Sequence, residues 1–140
     1  MIPRNGAKGA KKIPMNENEL SKIALDVAFK IHKELGPGLF ESVYEAIMAY
    51  ELVNEYNLNV HRQRPIPVIW KEVKLELGFR SDLIIEEKLI VEIKSIEALA
   101  PVHAKQLLTH LRLTNIKLGL LINFNEELLK NGIKRIVNNL

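Results

Sequence analysis

No cysteine occurs among the 140 residues, which excludes disulfides, thiolate metal sites and cysteine nucleophiles. No apolar run reaches membrane-spanning length, and the basic start lacks the apolar segment of a signal peptide, so a cytoplasmic location without membrane contact is the expectation. There is no self-similar period, which removes repeat architectures. A field of one sign is missing as well. The formal net charge is +3, but Arg4, Lys8, Lys11 and Lys12 precede Met15 with no acid among them. From Met15 onward sixteen basic residues face seventeen acidic ones, a net of −1. Any surface for nucleic acid must therefore be a local patch.

What remains is a chain that is 47% hydrophobic, enough for one compact domain with a substantial core. Residues 1–14 carry Gly, Pro and Lys without an apolar face. They predict a mobile basic tail, read either as a phosphate-binding arm or as a leader upstream of an alternative start at Met15. Residues 15–140 form the domain.

The stretch Arg80 to Ser95 organises the rest. Leu83, Ile84 and Ile85, then Leu89, Ile90, Val91 and Ile93, form two apolar runs rich in β-branched residues and joined by Glu86, Glu87 and Lys88, as in a β-hairpin covered on both faces. Asp82, Glu92 and Lys94 lie inside these runs, where a lone charge loses hydration at a cost of several kcal/mol. Alternation puts Glu92 and Lys94 on one face and Ile93 on the other. Asp82 joins them only if the loop has an odd number of residues or a bulge, because a two-residue turn would pair it with Ile93. Two converging carboxylates make a hard oxygen site for Mg²⁺ or Mn²⁺, and a lysine beside them can hold a water or a phosphate, which is the chemistry of phosphodiester hydrolysis. Structural ion pairs on a half-exposed strand are the competing reading.

Around the hairpin, Asn16 and Glu19 resemble a capping box, and Leu20, Ile23, Ala24, Val27, Ala28, Ile31 and Leu35 recur at helical spacing, with His32 expected on the surface. Gly36-Pro37-Gly38 ends that helix. A second helix is expected from about Leu39 to Tyr56, with Glu41 in its first turn and Tyr44 and Glu45 on the same side. Residues 57–70 predict a strand pair interrupted by Pro65 and Pro67. There Arg62 and Arg64 are either phosphate contacts, along with Lys71, Lys74 and Arg80, or charges guarding an edge. His61 reads as a surface residue and Trp70 as a core residue. A strand over Val73 to Leu77 leads into the hairpin.

Pro101 opens a helix to about Thr114 with His103, Gln106 and His110 on one side. Lys117 to Phe124 is expected as a buried strand parallel to the second hairpin arm, closing the sheet. Asn125 is expected to cap a short helix ending at Gly132, and Ile133, Ile136 and Val137 add a last apolar piece.

The string Asp82, nine residues, Glu92-Ile93-Lys94 has the form of the PD-(D/E)xK nuclease signature. Gly38-Leu39-Phe40-Glu41-Ser42-Val43-Tyr44 resembles the Gly-x-x-Glu-x-x-Tyr motif of the GxxExxY family, a branch of that superfamily. Glu34 to Gly38, Ala49 to Leu52, Pro101 to His103, Gln106 to Leu108 and Leu118 to Phe124 are similar to it as well. The resemblance runs from about Asn16 to Val137. It implies an α/β, restriction-endonuclease-like core, a mixed sheet flanked by helices, in which Glu41, Asp82 and Glu92 surround a divalent metal. Gln106 matches the glutamine of a Gln-x-x-x-Tyr motif found in RecB-like nucleases, with His110 in place of the tyrosine.

These readings together predict a metal-dependent nuclease. Glu41, Asp82, Glu92 and the Ile93 carbonyl would hold Mg²⁺ or Mn²⁺, Lys94 would orient the attacking water, and Gln106 would position water or substrate. Nucleic acid, DNA ahead of RNA, is the expected partner, and a homodimer is allowed. The alternative is a nucleic-acid- or protein-binding module that keeps the fold without turnover.

Overall fold

Apolar side chains that alternate along the strands are sorted onto two sides of one sheet. In the computed structural model, which describes residues 13–76 and 78–140, the elements are α1 (Glu17–Leu35), α2 (Glu41–Asn54), β1 (Val60–Pro65), β2 (Val68–Trp70), β3 (Val73–Leu75), β4 (Arg80–Ile85), β5 (Leu89–Lys94), α3 (Pro101–Thr114), β6 (Leu118–Asn123) and β7 (Ile133–Val137). Five strands form a mixed sheet in the order β1-β4-β5-β6-β7, with β6 parallel to β5 and the other pairs antiparallel. Leu83, Ile85, Val91, Ile93, Leu120 and Ile122 pack with α1 and α2 in the larger core. Ile84, Ile90 and Leu121 pack with Leu107 and Leu111 of α3 in the smaller one. The expected mixed α/β architecture is the observed one.

Local chemistry sets the ends. Asn16 Oδ1 accepts the Glu19 N–H (2.8 Å) and the Glu19 carboxylate accepts the Asn16 N–H (3.1 Å), a reciprocal cap worth about 1 kcal/mol. Gly36 (φ 68°) and Gly38 (φ 101°) then turn the chain through backbone regions closed to most side chains. Tyr44 secures this turn from below: its hydroxyl donates to the Gly36 carbonyl (2.6 Å) and accepts the Leu39 N–H (3.2 Å), while its ring stacks on Phe124. Pro101 is the first residue of α3, as its missing N–H favours.

Several expectations need correction. β1 and β2 do not pair with each other; β1 is the edge of the main sheet and β2 forms a separate hairpin with β3. Pro65 ends β1 and Pro67 lies between the strands, so no donor is lost from a central ladder. Trp70 is not a core residue. It is 67% exposed near the tip of that hairpin, because the two short strands have no helix layer against them. β3 ends at Leu75, short of the expected strand, and Leu77, like residues 1–12, lies outside the described residues.

β6 does not close the sheet either. Ile133 and Ile136 belong to β7, an edge strand whose Lys134 and Arg135 are exposed. Asn125 caps no helix. Buried Asn123 organises that turn instead, its Oδ1 accepting the Ile96 N–H (3.1 Å) and its Nδ2 donating to the Ile96 carbonyl (2.9 Å). A 3₁₀ turn over Leu129–Gly132 follows without a side-chain cap. His32 is half-buried, with Nε2 hydrogen-bonded to the Glu126 carbonyl (2.7 Å).

Candidate active site

The loop of the β4–β5 hairpin decides the site. Ile85 pairs with Leu89, Ile84 with Ile90 and Leu83 with Val91, leaving the odd loop Glu86-Glu87-Lys88. Glu86 (φ 55°) and Glu87 (φ 56°) adopt left-handed backbone to close it. Continuing the register one step sets Asp82 opposite Glu92, as the charge pattern requires. There the Asp82 side chain enters the backbone pattern, Oδ2 accepting the Ile93 N–H (2.8 Å).

Asp82, Glu92, Lys94, Arg80, His103, Gln106 and His110 all line one cavity of about 150 Å³ between the sheet and α3. Its floor is Leu107 and Leu121. A larger cleft of about 290 Å³ beside Lys30 and Glu51 holds their ion pair (3.0 Å) but no comparable convergence of groups on the sheet.

Burial shapes the electrostatics. Loss of water around Glu92, only 8% exposed, pushes its carboxyl up from 4.5 to about 7. The hydrogen bond from His110 opposes this, and the charge of Asp82 reinforces it. His110 Nδ1 and Glu92 Oε1 share a hydrogen bond of 3.2 Å, and the His110 ring meets Phe79 edge-on. His110 therefore faces the cleft by holding a carboxylate. His103 has a local task as well, its Nδ1 accepting the Ala100 N–H (2.9 Å) at the start of α3. Lys94 has no ion-pair partner among the described residues, which leaves its ammonium available to an anion in the cavity.

Glu41 is placed differently. It opens α2, in the layer across the sheet from α3, is exposed, and does not line the cavity. Its helix start is nonetheless tied to the end of β5, since Ser95 Oγ donates to the Leu39 carbonyl (2.6 Å). Among the described residues no three acids or histidines stand close enough together to hold a metal ion.

The donor set fits a small, hard cation whose sphere is completed by water and substrate. Mg²⁺ is commonly held by one or two carboxylates with several waters, and Asp82 and Glu92 supply two. A buried carboxyl that ionises reluctantly is also one that a cation would stabilise.

Two residues not foreseen as site residues belong to this neighbourhood. Gln63 Nε2 donates to Asp82 Oδ1 (3.0 Å) and to Glu45 Oε1 (2.5 Å), and Arg62 Nε donates to Glu45 Oε2 (3.1 Å). Glu45 follows Glu41 by one helical turn, a spacing that could have flagged it. Gln63 offers no comparable signal. Arg62 and Arg64, candidates for phosphate contact, are engaged within the fold with Glu45 and Glu87.

Neither a curated protein nor a solved structure gives a significant match to the chain. The family model of the PD-(D/E)XK nuclease superfamily matches residues 18–136. That span holds nearly all of the three helices and of the sheet, and the chain belongs to the PD-(D/E)XK nuclease superfamily.

Proposed function

We propose that the protein is a divalent-cation-dependent nuclease that hydrolyses phosphodiester bonds in nucleic acid, with DNA ahead of RNA as substrate. The observation that carries this reading is the cavity in which Asp82, Glu92, Lys94 and Gln106 meet. Asp82, Glu92 and the Ile93 carbonyl would hold Mg²⁺ or Mn²⁺, with water and substrate completing the sphere; Glu41, exposed and outside the cavity, is not part of this set. Bound there, the ion would supply Lewis-acid polarisation of the scissile phosphate. Lys94, without an ion-pair partner among the described residues, orients the attacking water and neutralises charge that develops on the phosphate. Gln106 holds the water or the substrate from α3. Placement in the GxxExxY branch rests on Gly38, Glu41 and Tyr44, the last supporting the turn that presents Glu41.

The test is cleavage of labelled single- and double-stranded DNA and RNA with Mg²⁺ or Mn²⁺, comparing wild type with Asp82→Ala and Lys94→Ala. Loss of cleavage in both variants with retained folding supports the assignment. Cleavage unaffected by either substitution rejects the catalytic roles, and binding without cleavage identifies a non-catalytic module on the same fold.

A further inference from the structure

The edge strand β1 breaks its own ladder beside the cavity. Its partners on β4 run Val60 with Ile85, His61 with Ile84 and Arg62 with Leu83, then resume with Arg64 and Ser81. The skipped position would set Gln63 against Asp82. Gln63 instead adopts φ 51°, a left-handed conformation that costs an ordinary residue free energy and persists only where surroundings impose it.

Two groups are served by that conformation. The rotated Gln63 carbonyl accepts Arg80 Nη1 (3.1 Å), and the side-chain amide donates to both Asp82 (3.0 Å) and Glu45 (2.5 Å). Both partners are carboxylates, which only accept when ionised, so the NH₂ end of the amide must face them. Glu45 is itself 5% exposed and braced by Arg62, so the amide is gripped from a fixed point. With Oδ1 held by Gln63 and Oδ2 by the Ile93 N–H, the Asp82 carboxylate has little freedom to rotate, and its remaining lone pairs keep one orientation.

We infer that Gln63 is a positioning residue, whose side-chain amide, anchored on Glu45, orients the Asp82 carboxylate for a divalent cation. The inference rests on reading Asp82 as a cation-holding group. Groups that orient a metal-binding carboxylate contribute about 10- to 100-fold in metal affinity or activity.

The test uses Gln63→Gly and Gln63→Asn in the full chain. Glycine suits a left-handed backbone and asparagine tolerates it, yet glycine lacks the amide and asparagine is too short to span both carboxylates. Both variants are expected to stay folded at the assay temperature with a modest fall in melting temperature, since buried Glu45 loses a donor, smaller in Gln63→Gly because glycine relaxes the left-handed backbone. Both should bind Mn²⁺ about 10- to 100-fold more weakly by calorimetry, with the lost cleavage partly recovered at saturating Mn²⁺ and the KM for nucleic acid unchanged.

Wild-type Mn²⁺ affinity in both variants would overturn the inference. So would weaker apparent binding that is fully accounted for by the unfolded fraction in both, the folded molecules binding Mn²⁺ as tightly as wild type, since that marks a residue serving the fold alone. A wild-type protein that neither binds Mn²⁺ nor cleaves would overturn the reading of the site itself, and the inference with it.

Discussion

Glu92 shows how one residue couples stability to chemistry. Its carboxyl is pushed up from 4.5 to about 7, so between those values the folded chain holds a proton that the unfolded chain has released. The stability from this group is fully present below about pH 4.5 and is lost as pH rises through about 7. The size of the displacement corresponds to about 3 kcal/mol. Metal-free protein is therefore expected to melt at a lower temperature at pH 8 than at pH 5, as far as Glu92 decides it. Glu92→Gln should flatten this dependence and raise stability at pH 8 by up to about 3 kcal/mol, while abolishing cleavage. Melting curves across pH, for wild type and variant, check it. An unchanged pH dependence in Glu92→Gln would remove Glu92 as its source.

The elements act as supports for the cavity, and two contacts test this. α3 lies close to β6 because Gly119 has no side chain: a Cβ there would fall 2.9 Å from Leu107 Cδ1. Gly119→Ala is expected to overpack this contact, costing about 1–3 kcal/mol in chemical denaturation. It should also lower cleavage by displacing Gln106 and His110, which flank Leu107. On the opposite layer, Tyr44→Phe keeps the stack on Phe124 but loses both hydroxyl bonds to the 36–39 turn. The expected loss is about 1–3 kcal/mol, because the Leu39 N–H and the Gly36 carbonyl lose their partner. Faster hydrogen exchange in residues 36–40 would locate it. Exchange unchanged there would mean that the turn holds without the tyrosine.

At the scale of the whole molecule, cation binding and folding are linked, since the acids are assembled only by the folded sheet. At a hundredfold excess of Mn²⁺ over its Kd the gain should be about 2.7 kcal/mol. At one fixed Mn²⁺ concentration the gain should be larger at pH 8 than at pH 5, because the ion competes with the proton on Glu92 and its Kd falls as pH rises. Asp82→Ala should remove the gain, and an equal shift in that variant would place the ion elsewhere. By contrast, Trp70→Ala on the exposed β2–β3 hairpin should alter stability by less than about 0.5 kcal/mol in the same melts.

Much of this was legible without coordinates. Periodicity marks α1, the cap at Asn16, Pro101 as the start of α3 and the parallel pairing of β6 with β5, because each depends on neighbours in sequence or on the handedness of a crossover. Charges embedded in apolar runs mark Asp82, Glu92 and Lys94, and the odd loop follows from requiring them to share a face. Single-faced or layerless pieces were less legible: the apolar residues of β7, Ile133, Ile136 and Val137, lack the alternation that announces a strand, and exposed Trp70 carries no label distinguishing it from a core residue. Least legible was Gln63. Its left-handed backbone and its grip on Asp82 and Glu45 join residues 18 and 19 positions away, and only packing of α2 against the sheet edge brings those carboxylates within reach of one amide. Residue types and spacing determined which groups this protein can use; the three-dimensional packing decided which of them meet.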